Sequence, residues 1–245
     1  LGGFFGLAGG MVVRSLARPG VFRRPPVRLV LHKQIYFTGI QALFPVVLAA
    51  LAVGLALETQ MRSALGSGEE LNVRMHKMVV LGEIAPFLTG LIVLGRSGAA
   101  MATALASMKV RGEIRLLYTL GIDPGDYLLA PRLLAATLAL PALTVFFQIV
   151  SAMVAPVAAS FIEEVQLVAH YRELFGSFEI HEIVLVYAKS AIFGLVISAT
   201  ACATGIYVPP EGVWIPQAAE LAVLRGLVGL LATDLAFAIL RMAIP

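Results

Sequence analysis

The stretch GEIAPFLTGLIVLGRSGAAM, residues 82–101, is apolar and long enough to cross a lipid bilayer, yet it contains Glu83 and Arg96. The two charges are thirteen positions apart, which on a straight helix is about 20 Å, so they cannot pair with each other. Charges inside a span either reach toward the headgroups or face a protein-lined cavity. The small residues around Arg96 and the helix-kinking Pro86 favour a cavity wall at a helix or subunit interface.

The whole chain has the composition of a membrane protein. Of its 245 residues, 59% are hydrophobic and 13% are charged, and the mean hydropathy is +0.91. Soluble domains are about half apolar and about a quarter charged. A single cysteine excludes a disulfide framework within one chain, and no basic tract with interleaved aromatic residues suggests nucleic-acid binding. We therefore predict an all-α polytopic membrane protein.

Hydropathy predicts five transmembrane helices in a single membrane domain, residues 1–245. The predicted spans are 35–57, 78–101, 133–160, 183–207 and 218–240. Residues 1–33 are apolar first and basic afterwards, which indicates an interfacial helix rather than a cleavable signal peptide, before a bundle over residues 34–245. Lysine and arginine collect before the first span and between the second and third, which places the N-terminus in the cytoplasm and the C-terminus outside.

The connection after the second span predicts a short amphipathic helix on the cytoplasmic side. Apolar and charged residues alternate there at helical spacing, a glycine is placed to end the helix, and an Asp-Pro pair turns the chain. Such a helix either rests on the membrane or docks a cytoplasmic partner. The residues assigned to docking are Lys109, Arg111, Glu113, Arg115, Leu117, Gly121, Asp123 and Pro124.

Two further charges, Lys189 and Asp234, lie inside the fourth and fifth predicted spans. Each is equally compatible with a functional site and with a structural ion pair between helices. The sequence has no phosphate-binding loop, zinc-protease motif or nucleophile elbow, and its histidines are not spaced as metal ligands. We therefore expect no catalytic residue, metal or cofactor in this chain.

Three segments resemble the MlaE (YrbE) family of permeases, which serve ABC transporters that work with MCE proteins on lipids. Residues 82–101 resemble the family's E-[LI]-[GA]-P segment and its G-R-x-G-[AS]-A motif. Residues 108–135, MKVRGEIRLLYTLGIDPGDYLLAPRLLA, resemble its cytoplasmic coupling segment, and residues 187–198, YAKSAIFGLVIS, its fourth span with an intramembrane lysine. The chain departs from the family pattern at residues 207–225, where only EGV matches the usual glycine-rich turn.

The resemblance implies a homodimer in the bacterial inner membrane, two cytoplasmic ATPase subunits on the coupling helices, and a periplasmic ring of MCE domains. ATP and Mg would be bound by the ATPase, and this chain would have no enzymatic activity. Phospholipid or a related lipid would move through a cavity at the dimer interface, with Arg96 lying deeper and joining helices. If the residues one and two turns inward share the face of Glu83, then Phe87, Leu91 and Leu94 line the tail region of this cavity. Leu51, Leu55 and Glu58 recur near helical spacing on the first span and are expected to form the facing wall.

The alternative function is an ion-coupled secondary transporter that uses Glu83, Lys189 or Asp234 as a proton-linked site. Many secondary transporters contain inverted repeats, and the sequence has none. An intramembrane enzyme has still less support, because the sequence offers neither a nucleophile nor a metal constellation.

Overall fold

The computed structural model describes residues 25–65, 69–160 and 180–243, which form a bundle with five helices long and apolar enough to cross a membrane. The five helices contain the five predicted spans in the predicted order, so the all-α polytopic fold is confirmed. No strand occurs in the ranges given above. For the described residues, hydropathy alone therefore predicts the number of candidate spans correctly.

We number the helices α1 to α6 along the described part of the chain. Helix α1, residues 25–65, consists of the segments Pro25–Ile35, Tyr36–Ile40 (π-helical) and Gln41–Leu65. Helix α2, residues 69–110, consists of Glu69–Met75, His76–Ile84 (π-helical), Ala85–Val93, Leu94–Gly98 (π-helical) and Ala99–Val110. The others are α3, Glu113–Thr119; α4, residues 125–160, with Gly125–Leu129 (π) and Ala130–Ser160; α5, Ile180–Tyr207; and α6, Trp214–Ala243.

The N-terminal part of α1 runs into the first span without an interruption. Pro25–Ile35 continues directly into the π-helical turn Tyr36–Ile40, so the structure has no break at the expected boundary between residues 33 and 34. Pro25–Ile35 also packs along α4. Residues 1–24 of the expected interfacial segment lie outside the described residues.

The proline in the second span changes the hydrogen-bond register of α2. The amide of Ala85 donates to the carbonyl of Val80, five residues back, as in a π-helix. In that register Pro86 would bond to the carbonyl of Leu81, but proline has no N–H. The side-chain amide of Gln148 donates to Leu81 O instead, at 2.8 Å. The irregularity expected at Pro86 is thus a π-helical stretch supported by α4.

The core lies where α4 packs against α1, α2 and α5. Its largest buried side chains include Phe147 of α4 and Phe193 of α5, which belong to one apolar cluster with Leu140 and Leu230. We call the end of the bundle that carries α3 the α3 end, and the opposite end the far end. Residues 77–83, 145–152, 181–189 and 237–241 approach the far end, because α2 and α5 start there and α4 and α6 finish there.

Glycines allow two helix pairs to approach closely. A Cβ added at Gly205 of α5 would lie 2.6 Å from Ala102 O of α2, and one added at Gly194 would overlap Ala136 O of α4. Real Cβ atoms do not approach other heavy atoms so closely, so both positions require glycine. A Cβ at Gly95 would meet nothing within 4 Å inside the protomer.

Candidate functional site

Four charged side chains from three helices form a network near the far end. Lys189 Nζ of α5 lies 2.5 Å from Glu83 Oε2 of α2 and 2.7 Å from Asp234 Oδ1 of α6. Arg241 Nη1 of α6 lies 3.0 Å from the other oxygen of the same glutamate, Oε1. We call these residues the far-end network. It brings together Glu83, Lys189 and Asp234, which the sequence analysis singled out individually.

The far-end network is electrically balanced. Its ion pairs form a chain in the order Arg241, Glu83, Lys189, Asp234, so two positive and two negative groups alternate. The lysine at the centre is 5% exposed and also lies over the ring of Phe193, 5.8 Å from its centroid. A buried charge in an apolar environment is tolerated when it is paired with good geometry. The alternation therefore explains how α2, α5 and α6 accept charge at this depth.

A cavity of about 830 Å³ opens beside the network, between α2, α4, α5 and α6. Ligand pockets in proteins range from about 300 to 1,000 Å³. Much of the wall is apolar and includes Val145, Ile149, Val184 and Phe237. The polar side chains that line it are Lys77, Glu83, Gln148, His181, Glu182, Tyr187, Lys189 and Arg241. The cavity thus combines an apolar surface with a concentration of charge.

Hydrogen bonds fix the orientation of the polar wall. The hydroxyl of Tyr187 donates to Gln148 Oε1 at 3.0 Å, while Gln148 Nε2 donates to the carbonyl of Leu81. Nearby, Lys77 Nζ lies 2.6 Å from Glu182 Oε2. Both amide atoms of Gln148 are therefore engaged, and α2, α4 and α5 are joined around the cavity.

Arg96 belongs to a different contact, deeper in the bundle. Its Nη1 donates to the carbonyl of Phe37 at 3.0 Å, its Nη2 donates to Gln41 Oε1 at 2.7 Å, and its guanidinium lies 5.2 Å from the Phe37 ring centroid. The backbone N–H of Gln41 donates to the carbonyl of Tyr36, five residues back, rather than to that of Phe37. Arg96 therefore joins a π-helical turn of α2 to a π-helical turn of α1.

Of the seven residues expected to line a lipid cavity, Glu83 borders the cavity described above. Leu94 and Glu58 are fully buried inside the protomer, and Phe87 is half-buried against the core. The remaining three are exposed on the protomer surface: Leu51, Leu55 and Leu91. Phe87, Leu91 and Leu94 of α2 do not line the cavity that Glu83 borders, and neither do Leu51, Leu55 and Glu58 of α1. A role at an interface between two copies stays a prediction.

Glu58 takes part in a buried contact with a histidine. Its Oε2 lies 3.4 Å from His76 Nδ1, and the two side chains are 1% and 0% exposed. The histidine begins the longer π-helical stretch of α2. This contact joins α1 to α2 and is not open to a ligand in this conformation.

At the α3 end, Lys109 points into the bundle. Its Nζ donates to the carbonyls of Ile206 at 2.6 Å and Val208 at 2.8 Å, and so caps the C-terminus of α5. The helix is then interrupted at Gly112, which has a φ of +76° and separates α2 from α3. Lys109 thus lies in α2, and the single amphipathic helix expected after the second span is divided between the end of α2 and α3.

The helix α3 has one face on the bundle and one face exposed. Ile114 and Leu117 pack against a buried cluster of α2, α4 and α5, whereas Leu116, Tyr118 and Leu120 are exposed. Of the residues assigned to docking, Arg111 and Glu113 form an exposed ion pair of 2.6 Å, and Arg115 is also exposed. Gly121 follows α3 with a φ of +72°, Asp123 Oδ1 accepts a hydrogen bond from the amide of Gly125, and Pro124 precedes α4.

Several residues of the site were not predicted from the sequence. Arg241 and Lys77 lie near helix ends, where a basic side chain is ordinarily assigned to the headgroup region. Tyr187 and Gln148 carry no charge; the one available signal was a glutamine inside an otherwise apolar span. Their roles depend on contacts between distant segments, which the sequence does not display.

The fold and the site define a multi-pass α-helical membrane protein with an amphipathic cavity near one end and a partly exposed connecting helix at the other. A family model described as Permease MlaE matches residues 31–240, so the chain belongs to the MlaE permease family.

Named relatives agree with this assignment. A probable ABC transporter permease protein of Rickettsia typhi is 28% identical over 207 residues, which are 84% of this chain and 78% of the relative. The TRIGALACTOSYLDIACYLGLYCEROL 1 protein of Arabidopsis thaliana is 29% identical over 82% of this chain and 58% of its own length. The intermembrane phospholipid transport system permease protein MlaE of Haemophilus influenzae is 29% identical over 58% of this chain and 54% of its own length. The chain is an ABC transporter permease of this family and not itself an enzyme.

Proposed function

We propose that this permease moves a phospholipid or a related lipid between the bacterial inner membrane and a periplasmic MCE protein. The observation that carries the proposal is the amphipathic cavity beside the far-end network. A lipid has a polar headgroup and apolar chains, and so requires a site with both kinds of wall. The description of the Haemophilus influenzae relative as part of an intermembrane phospholipid transport system supports the same ligand.

Energy would come from a separate ATPase that binds ATP and Mg. The exposed apolar side chains of α3, Leu116, Tyr118 and Leu120, offer it a docking surface together with the exposed Arg115. Two ATPase subunits would serve two copies of the permease. The distribution of lysine and arginine supports an inner-membrane orientation with α3 and the N-terminus in the cytoplasm, and the far end and the C-terminus in the periplasm, facing the MCE ring.

The second copy would contact the surface that carries Leu51, Leu55, Leu91 and Gly95, all of which are exposed in the protomer. Apolar and small residues are typical of interfaces between membrane helices. The cavity between two copies that the sequence predicts would then adjoin α1 and α2, in addition to the lipid cavity within each copy.

Reconstitution of the permease with its ATPase in liposomes tests the proposed function. The measurement is transfer of a labelled phospholipid to an acceptor MCE protein, with ATP or with a non-hydrolysable analogue. We expect transfer to require ATP hydrolysis and to continue when an ionophore removes the proton gradient. A matched sample with a hydrolysis-deficient ATPase should be inactive. Transfer that follows the gradient and ignores ATP would instead establish the ion-coupled transporter built on Glu83, Lys189 and Asp234.

A further inference from the structure

The cationic side chains around the cavity differ in exposure and in how many of their N–H donors have a partner in the protein. Lys189 is 5% exposed and contacts two carboxylates, whereas Lys77 is 13% exposed and is paired with Glu182 at 2.6 Å. Arg241 is 42% exposed, and the structure gives it one hydrogen bond within the described residues, from Nη1 to Glu83 Oε1. A guanidinium has five N–H donors in a planar fork. Arg241 therefore retains most of its donors at the cavity surface.

The place of Arg241 at the end of the ion-pair chain has an electrostatic consequence. Glu83 is shared between Arg241 and Lys189, so its charge does not compensate the arginine alone. At the other end Asp234 pairs with Lys189. An additional anion beside Arg241 would thus meet a partly compensated cation rather than a neutral pair. Charge-assisted hydrogen bonds from arginine are among the stronger polar contacts in proteins.

Space for such an anion is provided by a glycine. Gly82 lines the cavity, and a Cβ added there would lie 3.9 Å from Arg241 Nη1. A longer side chain at this position would compete for the space beside the guanidinium. The arginine from α6 therefore lies next to bare backbone of α2, with its open donors toward the cavity.

The surrounding wall selects among anions. Val145, Ile149, Val184 and Phe237 give the cavity an extensive apolar surface. A small hydrated anion gains nothing from that surface, whereas an anion attached to acyl chains buries apolar area as it binds. The planar fork of arginine matches two oxygens of a phosphate.

We propose that Arg241, with the space beside Gly82, is the subsite for the phosphate group of a glycerophospholipid. This inference rests on the proposed lipid-transport function and names the part of the lipid that the protein distinguishes. Arg241 is a specificity-determining residue: it selects lipids that carry a phosphate over lipids with the same chains and none.

The test uses the purified complex of the permease with its ATPase, exposed in detergent to an equimolar mixture of phosphatidic acid and diacylglycerol with identical acyl chains. Native mass spectrometry reports which lipid is retained. We expect the original protein to retain mainly phosphatidic acid, and Arg241→Gln to lower that preference about tenfold or more, the effect of losing a charge-assisted hydrogen bond. Arg241→Lys, which keeps the charge and loses the fork, should be intermediate.

The matched control is Arg225→Gln, which removes an arginine from the α3 half of the same helix, where Arg225 Nη1 lies 3.4 Å from Thr204 Oγ1. This control should keep the original preference. If Arg241→Gln does not assemble with the ATPase, the comparison is made with Arg241→Lys instead. An unchanged preference for phosphatidic acid in Arg241→Lys then contradicts the proposal.

The remaining outcomes separate the subsite from the function. Retention of both lipids in equal amounts, or an unchanged preference in Arg241→Gln, overturns the phosphate subsite and leaves lipid transport standing. Displacement of phosphatidic acid by inorganic phosphate would identify a general anion site and also overturn the proposal. Retention of neither lipid by the original protein would contradict both the subsite and the proposed function.

Discussion

Near the far end, four charged side chains pair beside a cavity of about 830 Å³. At the α3 end, Lys109 caps the C-terminus of α5, and Gly205 allows α5 to approach α2 closely. The polar groups of the far-end network remain partly accessible, since Glu83 and Arg241 are each 42% exposed. At the α3 end, the Nζ of Lys109 instead binds backbone carbonyls at 2.6 and 2.8 Å. One end thus combines accessible charged groups with a cavity, whereas at the other end the polar contacts hold α2 and α5 together.

The largest effect on protomer stability is expected from Lys189→Met. The substitution leaves Glu83 and Asp234 close together without the cation they share. Removing one partner of a buried ion pair destabilises by about 3–5 kcal/mol, and partial exposure of the two carboxylates places this case near the lower figure. Thermal unfolding in detergent measures the loss.

A double variant sharpens this prediction. Lys189→Met combined with Asp234→Asn removes one of the two stranded carboxylates and should recover part of the stability. A single Lys189→Met variant that unfolds at the original temperature would mean that the ion pairs contribute nothing, and the far-end network would then be an incidental contact.

The next effect in size tests the close packing at the α3 end. In Gly205→Ala the new methyl would lie 2.6 Å from Ala102 O, so α2 and α5 must separate; overpacking of this kind costs about 1–3 kcal/mol. Gly39→Ala is the matched control, because its methyl would lie at an ordinary 3.6 Å from Ala139 Cβ. Both substitutions gain the same helix propensity, so the difference between their unfolding temperatures reports the contact. Equal temperatures would show that α2 and α5 are not tightly joined.

A smaller effect is expected from removing the helix cap. Lys109→Met leaves the carbonyls of Ile206 and Val208 without their ammonium donor, at an expected cost of about 1–2 kcal/mol. Arg111→Met removes a neighbouring basic residue whose ion pair with Glu113 is exposed, and such pairs contribute about 0–1 kcal/mol. Unfolding of the two variants side by side should rank Lys109→Met as the less stable. The reverse order would contradict the inward role of Lys109.

The smallest effect on the protomer is expected from reversing two exposed charges of α3, Glu113→Arg with Arg115→Glu. Exposed substitutions of this kind usually change stability by about 0.5 kcal/mol or less. The ATPase should nevertheless be lost during purification, because the positive and negative charges of the docking surface have exchanged places although its net charge is unchanged. A variant that keeps both the ATPase and coupled hydrolysis would remove α3 from the proposed docking site.

The spans were predictable because the signal for a membrane helix is local. About 20 apolar residues in sequence are sufficient to define a span, whatever the rest of the chain does. The ends were less predictable: α1 begins at Pro25 and the second span extends to Val110, since amphipathic extensions continue a helix beyond its apolar part.

The pairing of charges was not predictable, because it depends on tertiary packing. Glu83, Lys189 and Asp234 are far apart in sequence and meet only when α2, α5 and α6 pack. The surroundings of the residues on α2 beyond Glu83 were also not predictable: regular helical spacing from Glu83 points to Leu94, but Leu94 is fully buried in the apolar core. Hydrophobic sequence alone does not indicate where a helix leaves α-helical register.

Photo-crosslinking from α4 tests whether the cavity at the far end holds lipid. A photoreactive residue at Ile149, which lines the cavity, is compared with one at Phe146, which lies three residues earlier and outside the lining. The two side chains are matched in exposure, 46% and 48%. The assembled transporter is washed in detergent to remove bilayer lipid before irradiation, and the adducts are identified by mass spectrometry. We predict a phospholipid adduct from position 149 and little or none from position 146; equal labelling from both positions would contradict lipid binding in this cavity.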